Sequence, residues 1–111
     1  PGYLPTTANV TPVDNPDRDE IRALVERCLR QDEGAMVALM AQFESLVFGL
    51  CLRMLGHRQD AEDAAQETFV RVFKSLARWD CERDFKPWLL AIAGNRCRSM
   101  LSARQTRAKP A

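Results

Sequence analysis

Asp63, Gln66 and Glu67 lie three or four residues apart in the run DAEDAAQETFVRVFKSL (Asp60 to Leu76), so on a helix they form one polar patch. Two carboxylates flanking an amide suit recognition of a basic partner surface. Farther along, Trp79, Phe85 and Trp88 surround Lys86, and Asn95, Arg96 and Arg98 follow. Positive charge along a phosphate backbone, combined with aromatic rings for unstacked bases, is what holding single-stranded DNA requires. Asparagine adds a donor and an acceptor on one side chain, which suits a base edge. Catalysis finds little equipment here. His57 is the single histidine, and there is no Ser/His/Asp or Cys/His arrangement and no glycine-rich phosphate loop. Asp60, Glu62, Asp63 and Glu67 lack the ExxH partner that di-metal helical bundles use, so no metal or other cofactor and no enzyme activity are expected.

Charge is nearly balanced overall but not along the chain. Up to Asp84 there are ten basic and fifteen acidic residues; from Phe85 onward there are six basic residues and no acidic ones. Such a division suggests one face for a polyanion and another for a basic partner. Cys28, Cys51, Cys81 and Cys97 are irregularly spaced with no CxxC pair, which argues against a disulfide scaffold or a zinc site. Three of them fall in helical segments, where a buried thiol is a small hydrophobe, and a reducing cytoplasm is the simpler home. No apolar run is read as approaching the roughly 20 residues of a membrane span, so no membrane partner is expected.

The elements that must position these residues all read as helices. Asn15 and Pro16 signal a helix running to about Arg30, with Ile21, Leu24, Val25, Cys28 and Leu29 inward. Asp32 can cap the next helix, from about Glu33 to Leu55, whose stripe is Met36, Leu39, Met40, Phe43, Leu46, Val47, Leu50 and Met54. Its methionines suit either core packing or an adaptable binding surface. Gly56 can end it in a left-handed conformation, and the short connection that follows makes the next helix an antiparallel neighbour. Asp60 is read as the N-cap of that helix, with Ala61, Ala64, Ala65, Phe69, Val72, Phe73 and Leu76 on its buried face. Arg78 to Lys86 (RWDCERDFK) is a polar loop, in which Trp79 suits either packing or base contact. Pro87 fits the first turn of a last helix with Leu89, Ile92, Ala93 and Met100 inward, and Trp88 reads as core. Gly94 leaves room for another backbone or a nucleotide, and the apolar pattern fades from Ser102. There is no strand signal. The fold class is all-α, a compact bundle of three to four helices over residues 17–107, between a flexible arm (1–16) and a short tail (108–111).

The order DAEDAAQETF, followed at a distance by FKPWLLAIAGN, resembles the second conserved region of bacterial sigma factors, especially their extracytoplasmic-function (ECF) group. The resemblance runs from about Asp32 to Arg107. It implies that Asp63, Gln66 and Glu67 match the DxxQE that docks on the clamp helices of the RNA polymerase β′ subunit. It also implies that the loop and the last helix capture an extruded base of the −10 non-template strand. Trp79 then takes the aromatic place at the loop entrance, Asn95 the base-reading place, and Lys86, Arg96 and Arg98 the phosphate contacts. An anti-sigma factor is a further partner that the resemblance allows. The alternative is an interaction domain that uses the acidic helix without reading DNA.

Two departures from the family pattern stand out. Ser99, Ser102 and Ala103 dilute the basic run after the asparagine, leaving Arg104 and Arg107, so modest phosphate affinity is expected. The helix-turn-helix domain that reads the −35 element lies outside these 111 residues, and the first residue is Pro rather than Met. A fragment of a longer sigma factor, with a processed or engineered start, is therefore expected.

Overall fold

In the computed structural model, which describes residues 18–108, four α-helices and one 3-10 turn follow one another with no strand among them. The all-α expectation holds for the described residues. The arm at 1–16, the Asn15-Pro16 start signal and residues 109–111 of the tail lie outside them.

Helix α1 (Arg18–Leu29) buries Ile21, Val25 and Cys28, the i, i+4, i+7 face of its sequence. It ends in a two-bond Schellman closure: Gln31 donates its backbone N–H to Cys28 O (2.9 Å) and Asp32 to Arg27 O (3.1 Å). Gln31 takes the left-handed conformation there, at φ 69°. Asp32 then caps helix α2 (Glu33–Leu55) by accepting the Ala35 N–H at 3.1 Å, and its other oxygen accepts from Arg27 Nε at 2.9 Å. Arg27 and the Ala35 N–H, in that order, hold its carboxyl below the usual value of 3.8.

Helix α2 is the centre of the molecule. Ala35, Leu39, Phe43, Val47, Cys51 and Leu55 recur every four residues and are all buried. Helix α3 (Arg58–Ser75) and helix α4 (Phe85–Ala108) pack on α2 and on each other, while α1 packs on α2 and on the 3-10 turn Leu76–Arg78. By length and composition α2 could cross a membrane, against the sequence reading that no apolar run comes near that length. Here its buried stripe packs on the other helices, Met36, Met40 and Met54 lie half-buried against the core, and Val37 and Leu52 stay exposed. Gly56 ends α2 at φ 75°, donating to Leu52 O at 2.9 Å.

Three boundaries differ from expectation, the first being the loop read as Arg78 to Lys86, which gives Arg78 to the 3-10 turn and Phe85 and Lys86 to helix α4. Helix α3 starts at Arg58 with His57 in the cap position and no side-chain cap bond, so Asp60 is a first-turn residue and not the N-cap. Its carboxylate instead accepts from Arg104 Nη2 at 2.6 Å. Helix α4 continues through Ala108, past the point where its apolar pattern fades. Arg104 anchors that end, because its Nη1 also reaches Leu55 O at 3.2 Å and satisfies a carbonyl at the end of α2.

Candidate polymerase-docking and strand-binding surfaces

Helix α3 turns two unlike faces outward and inward. Ala61, Ala64, Phe69 and Val72 are buried, together with Thr68, whose hydroxyl donates to Ala64 O at 2.7 Å. On the other side Asp63, Gln66 and Glu67 are all exposed, as their spacing predicts. Gln59 Nε2 donates to Asp63 Oδ1 at 3.5 Å. Gln66 stands on the rim of a groove of about 520 Å³ between α2 and α3, whose apolar lining is Met40, Phe48, Ala65 and Phe69. Arg58 lies over the Phe48 ring, 5.9 Å from its centre. Val70, one turn beyond Gln66 and Glu67, is 54% exposed and extends this face as an apolar surface. Sequence reasoning passed it over, although its absence from the buried stripe of α3 was the available signal.

The loop between the 3-10 turn and α4 starts and ends on buried aromatic residues. Trp79 and Phe85 are 7% and 5% exposed and meet edge to face at 5.1 Å, with Phe43 of α2 against Phe85 at 5.4 Å. Of the two readings of Trp79, packing or base contact, its burial supports packing, and direct base contact by its ring is corrected: the ring is part of the core. The five residues between, Asp80 to Asp84, are exposed. Trp88 is half-buried against Phe85 at 5.5 Å, in keeping with its core reading.

Lys86 is exposed in the first turn of α4, where a positive charge opposes the helix dipole. Asn95 and Arg98 are also exposed, and Arg98 Nη2 donates to Asn95 Oδ1 at 2.6 Å. Gly94 is buried, and a Cβ there would stand in ordinary contact with that same Arg98 guanidinium, at 3.4 Å. Arg96 is half-buried and bridges to Glu67 of α3 at 2.8 Å. Its Nε is buried without a hydrogen-bond partner. Asn95, Arg96, Arg71, Ile92 and Ser99 line a cleft of about 190 Å³ between α3 and α4. The structure thus joins the two predicted sets, since a member of the acidic patch holds a member of the basic one. Arg71 was missed because its place in the cleft depends on α4 lying beside α3.

Three of the four cysteines, Cys28, Cys51 and Cys97, are buried and Cys81 is exposed on the loop. Burial, with a hydrogen bond to Cys97, pushes the Cys51 thiol up to about 12. It behaves as core and not as a nucleophile.

Residues 39–107 match the Sigma-70 region 2 family. The chain is 33% identical over 75 residues to the ECF RNA polymerase sigma factor SigW of Bacillus subtilis, covering 68% of this chain and 40% of that protein. It is 32% identical over 90 residues to the RNA polymerase sigma-H factor of Pseudomonas aeruginosa, with 81% and 47% covered. With the ECF RNA polymerase sigma-E factor of Haemophilus influenzae it shares 34% identity over 86 residues, covering 78% and 45%. The chain therefore spans less than half the length of these relatives. Among solved structures it is similar to the NMR structure of a complex formed by an engineered region 2 of sigmaE with GTAAAA. The TM-score is 0.74 at 30% identity, over 81% of this chain and 94% of that one.

Proposed function

The chain belongs to the sigma-70 region 2 family, in its ECF group, and on that premise we propose that it is the polymerase-docking and promoter-opening module of a sigma factor. Asp63, Gln66 and Glu67, with Val70, form the surface for the β′ clamp helices of RNA polymerase in the cytoplasm. The α2–α3 groove beside Gln66 is also where an anti-sigma factor could compete. Asn95, Lys86 and Arg98 hold the non-template strand of the −10 element. Arg98 already occupies the Asn95 carbonyl, so the Asn95 amide N–H groups are what a base acceptor would meet. Arg96 joins the phosphate contacts once Glu67 lets it go. Trp79 acts from beneath, as the packed base of the loop. In this reading the module binds and positions.

One observation carries this reading. The acidic face and Asn95 stand exposed on two adjacent helices packed against each other, so one domain can hold polymerase with one helix and a strand with the next. The relative whose structure contains GTAAAA supports the strand assignment by similarity.

The test measures binding of −10 oligonucleotides, non-template and template strand separately, to the chain with core polymerase. The wild type should prefer the non-template strand, and Asn95→Ala should lose about 1–3 kcal/mol of sequence discrimination while keeping most of its affinity. Asp63→Lys should instead release the chain from the core. Equal binding of either strand whatever its sequence would overturn the reading.

A further inference from the structure

We infer that Arg18 and Arg22 of α1 are positioning residues that hold the Asp80–Asp84 loop in the shape that selects the strand sequence. The inference rests on the strand-holding role proposed above and adds a determinant from a different helix, some sixty residues away in the chain.

The loop presents an electrostatic difficulty. Asp80, Glu82 and Asp84 crowd three carboxylates into five exposed residues, next to Lys86 and the helix assigned to a polyanion. Left bare, they would repel phosphate. Each instead has its own arginine. Arg83 pairs with Asp80 within the loop at 3.6 Å, Arg22 with Glu82 at 3.7 Å, and Arg18 with Asp84. Two of the three cations therefore come from α1, at i and i+4 on the flank of the stripe that buries Ile21 and Val25.

Charge is not the whole of it. Arg22 Nε also donates to the backbone carbonyl of Cys81 at 2.9 Å. A bond to the main chain fixes the path of the loop whatever its side chains do. The guanidinium fork lets one residue grip Cys81 O and lie beside the Glu82 carboxylate together, which an ammonium point charge does poorly. Within the loop, Arg83 N–H donates to Asp80 O at 2.9 Å and Glu82 N–H to Asp80 Oδ1 at 3.0 Å, so the turn is locally closed. Trp79 and Phe85 anchor its two ends in the core. What remains free is the tilt of that closed turn against the domain, and the two arginines set it.

The energetics separate this role from a structural one. Exposed ion pairs contribute roughly 0–1 kcal/mol, so the α1 arginines do little for the fold, which rests on the buried aromatics. Their loss should alter which loop arrangements are populated and leave the domain intact.

The experiment uses the full chain with core polymerase and a pool of single-stranded DNA hexamers randomised in sequence, scored by enrichment after capture. The variants are Arg22→Ala, Arg22→Lys and Arg18→Ala/Arg22→Ala, each also followed without DNA by amide hydrogen exchange at Glu82 and Arg83 and by thermal melting. Arg22→Ala should flatten the enrichment about tenfold, a change worth about 1.4 kcal/mol. Arg22→Lys should recover only part of it, loop exchange should quicken, and the melting midpoint and core binding should stay at wild-type values. If the wild type enriches a sequence and all three variants enrich it equally, the positioning role is overturned while the strand reading stands. If exchange quickens but the wild type enriches no sequence, the strand reading itself fails and takes the selective role with it.

Discussion

Asn95 and Trp79 show how differently two residues can fare when both are chosen for their chemistry. Asn95 sits in a helix, where asparagine is a poor former, so its presence needs another reason, and the fold leaves it exposed. Trp79 is set among charged neighbours in sequence, which suggests an open loop. Its burial comes from Phe85, six residues on, and from Phe43 on α2 against Phe85, contacts that no local pattern contains. The cysteines were partly legible: spacing put Cys28 inward, Cys51 and Cys97 were placed in helices without a face, and the structure buries all three and leaves Cys81 on the loop. That split predicts a reagent count. A thiol-reactive dye under native conditions should label the chain once, at Cys81, and the remaining three thiols should react only after denaturant is added. Labelling of Cys51 or Cys97 in the native chain would show that the α2–α4 contact opens on its own.

At the scale of elements, the turns were set by single residues whose roles could be read in advance. Asp32 caps α2 as expected, and Gly56 ends it in the left-handed conformation. The start of α3 was misplaced because Asp60 is a good cap by type, yet the two-residue connection leaves Arg58 and Gln59 already helical. The extension of α4 to Ala108 was hidden for a related reason. The residue that anchors it, Arg104, binds Leu55 O and Asp60 on other helices. Gly56 offers a clean measurement, since a Cβ there would meet nothing within 4 Å and only the backbone conformation is at stake. Gly56→Ala should cost about 1–2 kcal/mol, the left-handed penalty of an L-residue. For a domain of this size each lost kcal/mol should lower the melting midpoint by roughly 4–8 °C. A midpoint unchanged by the substitution would mean that the α2–α3 connection can adopt another turn at no cost.

Across the whole molecule, the division of charge between the two parts of the chain was plain in the sequence, but what the fold does with it was not. Side-by-side packing of α3 and α4 turns part of the asymmetry into internal pairs, Glu67 with Arg96 and Asp60 with Arg104. These partners are 29 and 44 residues apart, beyond any helical spacing rule. Among the described residues the basic end of the chain is therefore a weaker phosphate surface than its composition implies, with Lys86, Arg98 and Arg107 as the exposed cations there. Release of about two or three counterions on strand binding corresponds to a slope of roughly −1.4 to −2 in log K against log salt for single-stranded DNA. Glu67→Gln removes the carboxylate that holds Arg96 and should steepen the slope by about 0.7, one further phosphate contact. The same variant should weaken core binding, because Glu67 belongs to the proposed docking face as well. Opposite effects of one substitution on the two partners are what a shared ion pair requires. A slope left unchanged by Glu67→Gln would mean that Arg96 serves only to tie α4 to α3, and that the strand is held by Lys86, Asn95 and Arg98 without it.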